Sequence, residues 1–289
     1  MMHSKNAVLF KVLINRFHPA SGNSFLQKLP EAEAQEILNQ PLTYDDPSLS
    51  ISWETDLISS LHYSWLVPIL QQFDQALQGS IVAALPEAQS IRLKNVLKIK
   101  SVPKNLSSQM KAFFLHQLFC KLNPPKDTIP REYLSKSSLS ALLECTKSEI
   151  VDLIDMLAMH DLAETLRHMV DKRNLKWLYQ HLPPKHQQFL RVCLHLKEKI
   201  KAPKLEINTL NGDPKKLESM LHVRGIFRLG KALCGQHPQF IWHLMHTLDT
   251  GRGAAIAKHY QEQSIPNITP FLVQQLQSAI NFLKKKSAT

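Results

Sequence analysis

No stretch of the 289 residues approaches the about 20 consecutive apolar side chains that a membrane-spanning helix needs. Cysteine is scarce. Cys120, Cys145, Cys193 and Cys234 lie far apart, without a C-x-x-C pair or a dense framework, so they read as free thiols in a reducing compartment. Only eight glycines occur in a composition rich in helix formers, which argues against a sheet-rich fold. Acidic residues are outnumbered, 24 Asp and Glu against 35 Lys and Arg, leaving a net charge of +11 and a pI near 9.5. That balance favours an anionic partner: a nucleic acid, an anionic membrane surface or an acidic protein. Catalytic signatures are missing too. There is no G-x-S-x-G, no H-E-x-x-H and no nucleophile–base spacing, so no enzyme, catalytic residue or cofactor is expected. The short apolar run from Ala7 to Ile14 is interrupted by Lys11 and lacks a small-residue cleavage site after it, which makes a poor signal peptide.

Helical periodicity dominates what is present. Leu139, Leu142 and Leu143, then Ile150, Leu153, Ile154 and Leu157, recur at the three–four spacing of one buried helix face, and Leu162, Leu166, Met169 and Val170 form a second run. Thr146-Lys147-Ser148-Glu149 has the form of a capping box. The β-like segment Leu205–Leu210 is too isolated to build a sheet.

Three segments share a pattern: Leu29-Pro30-Glu31, Leu85-Pro86-Glu87 and Leu182-Pro183-Pro184, each followed by a polar turn and then apolar residues. Proline suits the start of a helix, where its missing N–H has no partner to lose. Such degenerate repeats predict an all-α fold, an armadillo-like or helical-repeat arrangement of short helices that offers surfaces to partners. Connector-like stretches at 39–52, 100–108, 122–131 and 199–214 divide the chain into three expected domains: 1–108, 109–205 and 206–289.

Four features bear on function. Cys234, His237, His243 and His246 include zinc-ligand types, but their spacing fits no standard structural site, and Cys234 serves equally as a core residue; no metal is expected. Gly251-Arg252-Gly253 lacks the strand and the Lys-Ser/Thr of a P-loop and reads as a turn that displays Arg252. The basic clusters Lys94, Lys98, Lys100, Lys104 and Lys197, Lys199, Lys201, Lys204 carry no interleaved stacking aromatics, so solvated surface is the simpler reading and an anionic contact the sharper one. The aromatic stretch around Trp65 reads as core, with an interface anchor as the alternative.

Gln236-His237-Pro238-Gln239-Phe240-Ile241, followed by Leu244, Leu248 and Ala254-Ala255-Ile256, resembles the middle domain of the flagellar rotor protein FliG. Gln236 stands where that family carries a Glu, and the family's hinge and charged torque helix have no clear counterpart. The blocks Phe25–Glu31, Leu61–Leu66, Leu162–Arg167 and Leu248–Gly253 resemble a type III secretion sorting-platform accessory protein, SctK-like. The resemblance implies a cytoplasmic adaptor at the inner-membrane face, bound to other proteins of a secretion assembly, with no cofactor and no catalysis. His237, Gln239 and Arg252, with Trp65, are the expected partner-binding residues. Phe240 and Trp242, two apart, are expected to point to different sides, one inward and one near the surface. The competing expectation, from the +11 charge, is a basic helical nucleic-acid binder.

Overall fold

The computed structural model describes residues 4–40, 53–103, 105–122, 128–196, 198, 200, 203, 205–210 and 212–287. Fifteen α-helices and four short 3-10 helices form its regular structure, with no strand among the described residues. The all-α, helical-repeat expectation is borne out. None of the described helices is long and apolar enough to cross a membrane.

The chain forms two compact units, Met1–Lys126 and Asp127–Thr289. This division differs from the expected one at 108 and 206. The helix Ser108–Leu122 buries Phe114, Leu115 and Leu118 within the first unit, and the second unit's core runs from Leu139 to Leu283 with no break near 206.

The first unit contains α1 (Ser4–Phe17), α2 (Gly22–Leu26), α3 (Glu31–Asn39), α4 (Trp53–Ser60), α5 (Val67–Leu70), α6 (Gln75–Ala84), α7 (Glu87–Leu97) and α8 (Ser108–Leu122). Helix α8 lies against α4, α5 and α6, and α1 pairs with α3. The Leu-Pro pattern does start helices: Pro30 and Pro86 occupy the N-cap positions of α3 and α7. A polar residue then closes the joint between elements. The buried Gln89 amide donates to the carbonyls of Ile58 (2.9 Å) and Leu61 (2.7 Å), satisfying acceptors that the end of α4 leaves open. Lys94, Lys98 and Lys100 are exposed, while Lys104 and the whole second lysine cluster fall outside the described residues.

The second unit contains α9 (Lys147–Arg167), α10 (Lys172–His181), α11 (Pro184–His195), α12 (Pro214–Ala232), α13 (Pro238–Thr247), α14 (Thr250–Ala257) and α15 (Thr269–Ser287). Helix α9 is its axis. The Thr146–Glu149 capping box starts it, and α11, α12 and α15 surround it. Met156 to Ala163 are buried without interruption, as expected for a helix enclosed on all sides. The two apolar runs read from the sequence are therefore redistributed. Leu139–Leu143 sits around the 3-10 helix Ser140–Leu143, and α9 runs through to Arg167, where the next N-cap, Asp171, ends the pattern and leaves Val170 93% exposed. The segment at 207–210 is a 3-10 helix whose Ile207 and Leu210 enter the core. Helix α15 buries Leu272, Leu276, Ala279, Ile280 and Leu283, one face of the amphipathic run seen in the sequence.

Candidate partner-binding surface

The His237-Pro238 motif starts α13, with Pro238 in the first turn and the His237 ring nitrogen accepting from the Gln239 N–H at 3.3 Å. His237 and Pro238 are exposed. The next residues are not. Phe240 and Trp242 are both buried, so the expected split between an inward and an outward aromatic does not occur. Phe240 joins the unit's apolar core, and a segment of the same unit lies along the Gln239, His243 and Thr247 side of α13. Gln239 Oε1 accepts from the Ile129 N–H (3.4 Å), His243 Nε2 meets the Ile129 carbonyl (2.9 Å), and Arg131 Nη2 donates to Thr247 Oγ1 (2.9 Å). Residues 129–131 thus cover the face expected to receive a partner, and Gln239 belongs to the interior.

Arg252 is also placed otherwise than expected. Asp249 is the N-cap of α14, and Gly251 and Gly253 lie in its first turn with negative φ, so no displaying loop exists. Half-buried Arg252 donates from Nε to His222 Nε2 (3.0 Å) and from Nη1 to Asp249 Oδ2 (2.5 Å). His222 Nδ1 faces Asp155 Oδ1 at 2.7 Å, which with an accepting Nε2 makes it the neutral Nδ1–H tautomer. Partial burial of Asp249 pushes its carboxyl up, but the Arg252 N–H and guanidinium outweigh this and hold it well below the usual carboxylate range. Arg252 ties α9, α12 and α14 together. Trp65, half-buried in the 3-10 helix Tyr63–Trp65, belongs to the first unit, whereas His237, Gln239 and Arg252 belong to the second.

The four zinc-type side chains are each engaged separately. Cys234 Sγ faces the carbonyls of Gly230 and His259 (3.5 Å each), His237 caps its helix, His243 bonds Ile129, and His246 bonds the Trp242 carbonyl while stacking on its ring at 4.0 Å. No group of three or more His, Cys, Asp or Glu that could hold a metal occurs among the described residues.

Sequence reasoning missed the charged centre of the second unit. Arg228, 2% exposed, donates to Asp161 (2.5 Å), Glu198 (3.0 Å) and Gln275 (2.6 Å), and Gln275 also reaches Glu198 (3.1 Å). Burial pulls the guanidinium pKa down, but the two carboxylates more than offset it, and the cation is retained. The available signal was Asp161 and Arg228 on otherwise apolar helix faces. It was also blind to an exposed ridge on α12, where Val223 (62%) and Phe227 (39%) stand one turn apart. Phe227 meets the His259 ring edge-on at 5.1 Å, and Lys231 and Lys258 lie close enough to His259, after burial, to lower its pKa further. No protein-family model, curated protein or solved structure matches the chain.

Proposed function

We propose that this chain is a non-catalytic helical adaptor of a bacterial type III secretion or flagellar-switch-like assembly, working at the cytoplasmic face of the inner membrane. The observation that carries the reading is the α12 ridge. Val223 and Phe227 present two large apolar side chains in line, beside His259, Lys231 and Lys258. An apolar anchor with a polar rim is how protein interfaces concentrate their energy. The lysines, and the overall charge of +11, fit a partner whose contact surface is acidic. The sequence resemblances at residues 25–31, 61–66, 162–167 and 236–256 supply the class of assembly. Partner contact at Gln239 or Arg252 has no support in this reading, because both already bond within the unit; His237 remains open to solvent.

A photo-crosslinker placed at position 227 tests the proposal in native cells. Expected is a protein of the secretion or switch assembly, whose affinity falls about tenfold or more in the folded Val223→Asp/Phe227→Asp variant. Capture of nucleic acid instead, with steep salt dependence and indifference to these substitutions, would replace the adaptor by the basic nucleic-acid binder.

A further inference from the structure

A cavity of about 410 Å³ opens between α9, the start of α11 and the first turns of α12. Its apolar wall includes Met159 and Leu217, and its polar groups are Asp152, Asp155, Glu218, His181 and His186. In a chain with a net charge of +11, three carboxylates converging on one cavity is a local inversion of sign. Asp152 and Asp155 lie three apart on α9 and so share a face. Each has one oxygen engaged, Asp152 Oδ2 with Lys185 Nζ (2.8 Å) and Asp155 Oδ1 with His222 (2.7 Å). Their second oxygens have no hydrogen-bond partner among the described residues.

His186 supplies the independent observation. Its side chain is only 8% exposed, it lines this cavity, and neither ring nitrogen has a hydrogen-bond partner among the described residues. Neither ring nitrogen is sealed from solvent, so the imidazole is open to whatever occupies the cavity. Burial lowers its pKa, which keeps a lone pair available to accept a hydrogen bond.

We infer that this cavity receives an arginine side chain of a partner polypeptide. The apolar wall suits the three methylenes of the stem, and the guanidinium can donate to the free oxygens of Asp152 and Asp155 and to the His186 lone pair. A planar fork of five donors serves several acceptors at once, which an ammonium does less well. A cavity of this size is at the small end of ligand pockets and matches one inserted side chain better than a large cofactor. The inference concerns a site away from the α12 ridge and stands whichever assembly the chain serves.

The test uses the full chain and three short uncharged-backbone peptides that differ at one position: arginine, its neutral isostere citrulline, and lysine. His186 ring signals, assigned with His186→Phe, are followed by NMR during titration. The arginine peptide is expected to shift them saturably and bind about tenfold tighter than the citrulline peptide, the margin of a charge-assisted bond. Asp152→Asn and Glu218→Gln, with folding confirmed, should each weaken it severalfold. No saturable shift up to about 10 mM, beyond the millimolar range of weak recognition, would overturn the inference. Equal affinity for citrulline or for lysine would do the same.

Discussion

The backbone of α12 touches that of α9 at Gly225 and Ile154: a Cβ built on Gly225 would lie 1.8 Å from the Ile154 carbonyl oxygen. No side chain can move aside to relieve that clash, because the obstacle is a helix backbone. Gly225→Ala should therefore force the two central helices apart and cost about 3 kcal/mol or more in urea unfolding. Gly251→Ala is the contrast. Its Cβ would meet nothing nearer than Asp249 Oδ1 at 3.5 Å, so it should be neutral or stabilising by up to about 1 kcal/mol.

Removing Arg228 leaves two carboxylates in the interior with their main partner gone. Arg228→Met should destabilise by about 3–5 kcal/mol. The triple variant Arg228→Met/Asp161→Leu/Glu198→Met should recover most of that loss, since the penalty arises from unpaired charge rather than from the absence of an ion pair. Chemical denaturation of the wild type, the single variant and the triple variant checks this. A triple variant no better than the single one would refute it.

Acid should unfold the second unit through its histidines. Burial holds the folded-state pKa of His160 and of His246 at about 4, against 6.5 when exposed. The unfolded chain then binds more protons between these values, so the stability contributed by the neutral rings is present above pH 6.5 and is lost as pH falls towards 4. Each contributes roughly 3 kcal/mol by the 1.36 kcal/mol per unit conversion. The melting temperature should fall across this window, and His160→Phe should flatten the fall.

At the His237 motif, the two exchanged residues should behave differently. Gln239→Ala removes the acceptor for the Ile129 N–H and should cost about 1–2 kcal/mol of stability. His237→Ala, at an exposed cap with a 3.3 Å bond, should cost about 1 kcal/mol or less. Thermal melts of both variants test the assignment of Gln239 to the interior.

Local patterns determined the helices. The Thr146–Glu149 box, the prolines before α3, α7 and α11, and the apolar spacing along α15 each act within one or two turns, where backbone hydrogen bonding and side-chain period suffice. Pairing across the chain was not legible in this way. Gln239 looks like a surface candidate until residues 129–131, more than a hundred positions earlier, cover its side of α13. Arg252 looks like a displayed cation until α14 sets it against His222 of α12. Asp161, Glu198, Arg228 and Gln275 come from four separate places, and only the packing of α9, α12 and α15 closes them into one network. His186 and the α12 ridge follow the same logic. Which side of a helix is covered depends on the elements laid against it, so composition and period determine that a helix forms, and tertiary packing decides which of its polar residues are left to meet a partner.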